Sequence, residues 1–466
     1  MIRQAHHNFE QIMQHLNEAA AEDTTAYQVE HDLFRALLSL GATLLSLFFV
    51  LRAQAMRAQP PPAQTRRQGS KKRRYFSLFG PIEIQRPYCY RSGGGSLPLD
   101  EALSLPKTCY SDLLREMVER FCVHLAYDKA AQLIEAVLGF GLSTRAMQQM
   151  VVEDAADVEA YYDQQSAPDP GSEAEILVVQ ADGKGVPMRS VPVDGPVRLG
   201  KGQKRTRKKE AVVTSLYSVA ARSRSADEVV ASFLGASSGS PSVARPRHKK
   251  LWATLSGKAV ALDRLQIQVH RRNGDHITHR VALSDGCEAL QRQLHEHFPR
   301  FTLILDFVHV SEYLWKAANA LFEEKDPVRL DWVKARTEEL LHGQSGSVIK
   351  RLRRASGSPV LEQVANYFAR NAASMRYDVY LRWGWPIASG VIEGACRHLV
   401  KDRCEGSGMR WTINGAEQML MLRAVEVNGD WADYHCYRRR QRHQRLYGGV
   451  APVVLTPEEQ VMRLAA

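Results

Sequence analysis

Apolar residues recur at helical spacing from the first residue to about residue 56, with few breakers, which predicts a helical region over residues 1–58. Within it, residues 36–51 (ALLSLGATLLSLFFVL) carry no charge and fall just short of a bilayer-spanning helix. The Ser, Thr and Gly inside that stretch, and Arg35 and Arg52 at its edges, favour a buried helix that packs against a second copy over a membrane anchor. Pro60, Pro61 and Pro62 open a linker over residues 59–70. The period then shortens to two. Residues 75–79, a Gly80-Pro81 turn and residues 82–86 read as a β-hairpin that carries Arg86, Tyr88, Tyr90 and Arg91. From residue 111 to about 162 the pattern is helical again. Two short helices flank Gly139-Phe140-Gly141, and Ser143 is a reasonable N-cap for the second. Residues 71–163 therefore read as a hairpin plus a helix-turn-helix-like region.

A second linker, residues 164–172 with Pro168 and Pro170, precedes a run of strands. Residues 175–181 are apolar and β-branched and end at Asp182-Gly183. Residues 280–284 end at Asp285-Gly286, with an amphipathic helix over 287–297. Residues 301–305 form another apolar strand that runs into Asp306 and His309. Residues 311–380 read as all helix, and a further helix begins near Ser389 and carries Glu393. The expected organisation is an α/β core in two parts, 173–310 and 386–430, split by a helical insertion over 311–385, with a basic tail over 431–466.

Composition changes this picture in two ways. The 44% hydrophobic and 24% charged content is that of a soluble globular protein, and 466 residues suffice for two or three domains. The balance is basic, +11 with a pI near 9.3, which points to a polyanionic partner. The cations are clustered: Lys71, Lys72, Arg73 and Arg74 lead into the hairpin, and Lys201, Lys204, Arg205, Arg207, Lys208 and Lys209 lie between the first two acids. Arg438, Arg439, Arg440, Arg442 and Arg445 crowd the tail. Each cluster could be an ordinary solvated face; phosphate contact is the sharper reading. Thr144, Arg145, Gln148 and Gln149 would face outward on the second helix of the turn, suited to phosphates and base edges. The seven cysteines include no C-x-x-C pair, which argues against a structural zinc site or a disulfide framework. With no export leader, a cytoplasmic, nucleoid-associated location is expected.

Two Asp at strand ends and a Glu on a helix could hold two Mg²⁺ through hard oxygen ligands, with Mn²⁺ able to substitute. Such a pair stabilises both the attacking and the leaving oxygen of an in-line phosphodiester displacement. A lone Asp-Gly, by contrast, also makes an ordinary turn. The residues that surround these acids carry a resemblance. Ala181-Asp182-Gly183, Ser284-Asp285-Gly286 with Phe298-Pro299, and Asp306-x-x-His309 all match. So do Glu393-Gly394 with Arg397, and Arg403 with Met409-Arg410-Trp411 and Gly415-Ala416. Together with the hairpin and Pro98-Leu99-Asp100, the chain resembles bacterial insertion-sequence DDE transposases of the ISKra type, kin of the Mutator-like enzymes.

The resemblance implies an RNase H-like mixed sheet with flanking helices, and Asp182, Asp285 and Glu393 as the catalytic, metal-binding triad. Asp306 and His309 fall on the family's C/D-x-x-H element, and Asp306 stays open as an alternative second acid. Strand order favours Asp285, because an RNase H-like sheet carries its second acid on the fourth strand. Arg397, Arg403, Arg410 and Trp411 are candidate DNA contacts. Trp383 and Trp385 fit packing beneath the site better than stacking on a flipped base. The implied partners are double-stranded DNA, as terminal inverted repeats and target, and further copies of the chain; no membrane and no small-molecule substrate is expected. The alternatives are an RNase H-like repair or junction-resolving nuclease and an inactive DNA-binding derivative.

Overall fold

The chain opens as a helical hairpin of α1 (Ile2–Ala21) and α2 (Ala26–Ala58), the second capped by the Thr25 hydroxyl, which accepts from the Gln28 N–H. The computed structural model describes residues 1–189, 208–234, 245–355, 358–406 and 408–449. These fall into two units, residues 1–163 with 430–449, and the described residues of 164–429.

In the first unit β1 (Arg66–Ser77) and β2 (Gly80–Arg91) form the expected antiparallel hairpin, and β3 (Gly94–Ser96) pairs with β2. The strand begins earlier than the sequence suggested. Arg66 and Arg67 pair with Tyr90 and Cys89, so the linker is shorter than residues 59–70. Tyr75, Ile82 and Ile84 alternate onto one face and bury against Phe49 and Ala53 of α2. Five helices follow: α3 (Pro98–Ala102), α4 (Asp112–His124), α5 (Tyr127–Leu138), α6 (Thr144–Asp154) and α7 (Val158–Gln164). Gly139 closes α5 with φ 74°, which a side chain would resist, and the Ser143 hydroxyl caps α6 by accepting from Ala146 N–H.

The second unit runs β4 (Ile176–Pro187), β5 (Lys208–Val219), α8 (Ala226–Leu234), β6 (Arg247–Thr254), α9 (Lys258–Arg272), β7 (His279–Ser284), α10 (Glu288–His297) and β8 (Thr302–Leu305). A helical block follows: α11 (Phe307–Leu321), α12 (Val328–Leu341), α13 (Ser345–Arg354), α14 (Pro359–Asn371) and α15 (Tyr377–Arg382). Then come α16 (Gly390–Ala395), a π-helical stretch over Cys396–Lys401, α17 (Asp402–Cys404) and α18 (Ile413–Val427). α19 (Trp431–Tyr447) belongs to the first unit.

The five strands form one mixed sheet in the order β6-β5-β4-β7-β8, with β4 antiparallel to β5 and parallel to β7, and β7 parallel to β8. Both faces are covered, which is why these strands read as continuous apolar runs. Ile176, Val178, Val281 and Leu283 pack beneath the helical block, against residues such as Val310, Leu314 and Phe368. Leu177, Val179 and Ala181 pack on the other face, against Leu262 and Leu265 of α9 and Leu290 and Leu294 of α10.

The last stretch corrects the sequence reading of a basic tail. Residues 431–447 form a packed helix, and four of its five arginines are paired with acids of the first unit, Arg440 being exposed. Arg438 meets Asp154 at 2.6 Å, Arg439 meets Glu116 at 3.0 Å, Arg445 meets Asp157 at 2.6 Å, and Arg442 pairs with Asp112. Those acids lie some 280 to 330 residues upstream, so local sequence could not show the pairing.

Candidate active site

Side-chain alternation carries Asp182 onto the face of Ile176, Val178 and Gln180, and Asp285 onto that of Val281 and Leu283. Both therefore point toward the side of the helical block. The parallel register ends at Gln180 with Leu283, and Asp182 and Asp285 each lie two residues beyond that last pair. One expectation needs correction. Asp182 does not end its strand, because β4 stays paired with β5 as far as Pro187↔Lys208. It lies just past the point where β7 leaves β4, so the sheet opens on one side at the carboxylate.

Asp306 is fully buried at the β8–α11 junction. Its Oδ1 accepts from Val308 N–H, which caps α11, and from Ser389 N–H, both at 3.0 Å; its Oδ2 accepts from the Ser389 hydroxyl. Burial raises its pKa, against the pull of those hydrogen bonds. The Ser389 hydroxyl also lies 3.2 Å from Glu393 Oε1, one turn along α16. A second link runs through Cys396, whose buried thiol donates to Asp182 Oδ2 at 3.3 Å. Burial, with Asp182 beside it, pushes that thiol well above the usual range, so it stays a neutral donor. Ser389 and Cys396 thus tie Asp306, Glu393 and Asp182 into one constellation.

One ligating atom each from Asp306, His309 and Glu393 lies within 4.8 Å of the other two. Among the described residues Asp182 and Asp285 do not enter so tight a group, although Asp182 meets Cys396 and the charge of Asp285 is felt at His309. His309 Nε2 lies 3.8 Å from Asp306 and Nδ1 lies 3.1 Å from Glu312. Partial burial lowers the His309 pKa, but Asp306, Glu312 and Asp285 outweigh it, and the net shift is upward.

Asp285 is held through its backbone. Tyr367 of α14 donates its hydroxyl to the Asp285 carbonyl at 2.7 Å, and Arg370 donates to the Gly286 carbonyl at 3.0 Å. Gly286 has φ 85° with the Tyr367 ring against it, so both its backbone and its lack of Cβ are required there. The Asp285 carboxylate accepts from Cys287 N–H through Oδ1, and Oδ2 has no hydrogen-bond partner among the described residues. Both Asp306 oxygens are engaged in hydrogen bonds, whereas Asp285 Oδ2 has none among the described residues.

Ser389, Cys396, Tyr367, Arg370 and Lys184 were not singled out from the sequence. Only Lys184 left a signal, standing two residues beyond Asp182 and so on its face; its charge is felt at Cys396.

The candidate DNA contacts divide by exposure. Lys71, Lys72 and Arg74 are exposed on β1, with Lys71 over the Tyr88 ring at 4.0 Å, Lys72 paired with Glu83 at 2.9 Å and Arg74 over Phe76 at 4.6 Å. Arg73 turns inward, donates to the Pro106 carbonyl at 2.6 Å and lies near Asp100, so it serves the fold. Thr144, Arg145, Gln148 and Gln149 are exposed on α6. Lys201, Lys204, Arg205 and Arg207 lie outside the described residues. Lys208 pairs with Glu405 at 2.6 Å, and Lys209 is half-buried on β5. Arg397 and Arg410 are exposed.

Two others are corrected by burial. Arg403 is 1% exposed and lies 4.8 Å over the Trp411 ring; Trp411 donates its indole N–H to the Cys404 carbonyl. They close the core around the Glu393 helix and have no open face for a nucleic acid. Trp383 and Trp385 stack around His279, at the start of β7. That is six residues upstream of Asp285, about 20 Å along a strand, so they do not pack beneath the carboxylates.

No family model and no curated protein matches this chain. Among solved structures it is similar to the Drosophila P element transposase strand transfer complex. The alignment covers 74% of this chain and 83% of that one, at 10% identity and a TM-score of 0.26. A likeness that slight carries no argument about fold or chemistry.

Proposed function

We propose that this chain is a DDE-type DNA transposase, cutting phosphodiester bonds at the ends of an insertion sequence and joining the 3′-hydroxyl ends to target DNA. The observation that carries the reading is the placement of the acids on the sheet. Asp182 on the central strand and Asp285 at the end of its parallel neighbour share a face, and the Glu393 helix meets Asp182 through Cys396 and Asp306 through Ser389. An antiparallel three-strand half extended by two parallel strands, with helices on both faces, is the order expected of an RNase H-like core.

The donor set fits a hard divalent cation. Asp182, Asp285 and Glu393 are all at least partly open to solvent, and none has a Lys or Arg in ion-pair range among the described residues. Asp285 Oδ2 and Glu393 Oε2 are uncommitted there. Two Mg²⁺ would supply charge stabilisation for the attacking and leaving oxygens. The chain's own residues do the positioning: Tyr367 and Arg370 fix the Asp285 turn, and Asp306 holds Ser389 one turn before Glu393. The exposed cations of β1 and the polar face of α6 would bear the DNA backbone and base edges. We assign the second acid to Asp285 and a positioning role to Asp306.

The test is Mg²⁺-dependent cleavage of DNA carrying candidate element ends, with Asp182→Ala, Asp285→Ala, Asp306→Asn and Glu393→Ala. Loss of cutting in the first, second and fourth with DNA binding retained supports the triad. Normal cutting by Asp285→Ala would move the second acid elsewhere. Cleavage without strand-transfer products would favour a repair-type nuclease, and wild-type binding without cutting under any divalent metal would sink the proposal.

A further inference from the structure

The N-terminal helical pair leaves a surface that the nuclease reading does not use. On α2, Phe34, Leu37, Leu44, Phe48 and Leu51 are each 43–49% exposed although all are large and apolar. Their spacing alternates three and four residues, with Gly41 at the remaining position. That is the repeat by which one helix seats another. The gap at Gly41 is not empty, since the Phe79 ring of the β1–β2 turn lies against it, itself 44% exposed. The stripe is therefore continuous, and its six side chains leave roughly 500 Å² of apolar surface uncovered, at the level where such patches mark interfaces.

Charge selects the occupant. The N-terminal end of α2 carries exposed Glu30 and nearby Asp32, and the C-terminal end carries exposed Arg52 and Arg57. Gly41 lies midway in sequence both between Glu30 and Arg52 and between Phe34 and Phe48. A two-fold axis near Gly41 would set Glu30 of one copy by Arg52 of the other, and Phe34 by Phe48. A parallel pair would instead bring like charges together. α2 is long and apolar enough to cross a bilayer, but protein contacts along its other side count against that occupant. Phe49 and Ala53 pack on the hairpin, Thr43 accepts from the Asn8 amide of α1 at 3.0 Å, and Arg35 donates to the Ala136 carbonyl at 2.8 Å.

We infer that this stripe is the contact face of an antiparallel pair of α2 helices from two copies of the chain. It stands whether or not the second unit cuts DNA.

Sedimentation equilibrium of the full chain should give a dimer at micromolar concentration. Phe34→Glu and Leu44→Glu should each weaken it by at least about 30-fold, with an unchanged far-ultraviolet circular dichroism spectrum. Leu113→Glu, at an exposed site on α4, should leave it intact. In a Cys287→Ser background, mixed Phe34→Cys and Phe48→Cys chains should cross-link to each other and neither to itself. A monomeric wild type, a dimer indifferent to both Glu variants, or self-cross-linking of either Cys variant would overturn the proposal. So would flotation of the wild type with phosphatidylcholine vesicles that Leu44→Glu abolishes, since the occupant would then be a bilayer.

Discussion

Each unit gathers carboxylates in one place, and the two clusters are built on opposite terms. In the first unit Arg115 grips Asp154 at 2.6 and 2.9 Å, Arg438 adds a third contact at 2.6 Å, and the fully buried Glu119 and His435 lie alongside. Burial drives the Glu119 pKa up, with Asp154 adding to it. Asp154 is held low because Arg438 and Arg115 outweigh its burial. In the second unit Asp182, Asp285 and Glu393 have no guanidinium in ion-pair range among the described residues, and all retain some exposure. Acids neutralised by the chain's own arginines serve the fold. Acids left without a cation invite one from outside, which is why only the second cluster reads as a site.

The largest expected effect breaks the first cluster. Arg438→Met removes one of the two cations facing Asp154 and leaves charge buried without its partner. The expected loss is about 3–5 kcal/mol, read as a fall in the urea midpoint. Midpoints within experimental error of wild type would mean that this cluster is dispensable and the contrast between the two units is false.

The second cluster should behave the other way. Asp285→Asn relieves repulsion between unpartnered carboxylates, so the metal-free protein should be as stable as wild type or more so. Cutting should nevertheless fall by at least ~10²-fold, the range for one preorganised electrostatic contact. At roughly a hundred times its dissociation constant, Mg²⁺ should stabilise wild type by about 2.7 kcal/mol, and Asp285→Asn should lose most of that gain. A destabilised variant without metal would make Asp285 structural.

The difference between the clusters also explains what the sequence could convey. Asp182, Asp285 and Asp306 were legible because each follows an apolar strand run, and strand alternation fixes the face of the first two. Glu393 was legible as a carboxylate on a helix start, but the bonds from Ser389 to Asp306 and from Cys396 to Asp182 that place its helix cross the fold. The grip of Tyr367 and Arg370 on the Asp285-Gly286 turn joins residues more than 80 positions apart, and nothing local announces it. The tail arginines misled for the same reason. A run of Arg looks like a solvated face until Asp112, Asp154 and Asp157 are seen beside it. Arg403 and Trp411 looked available because neither burial nor a ring contact is written in composition.

The smallest effect sharpens the comparison in pH, through two histidines shifted in opposite directions. Burial lowers the His435 pKa well below its ordinary 6.5, with Arg438 next in effect, so the fold holds it neutral. Its contribution is present above 6.5 and is lost as pH falls, because the unfolded chain takes up the proton that the fold excludes. His309 is raised despite its burial, through Asp306, Glu312 and Asp285. Its contribution is complete below the unfolded value of 6.5 and is lost as pH rises through the folded value. Replacing His435 by Gln should therefore flatten the acid side of a stability–pH curve, and replacing His309 by Gln should flatten the region above 6.5. Saturating Mg²⁺ should erase the His309 difference and leave that of His435, since a cation among the acids removes the field that raises His309. If Mg²⁺ leaves the His309 difference unchanged, the cation does not bind where the open carboxylates meet.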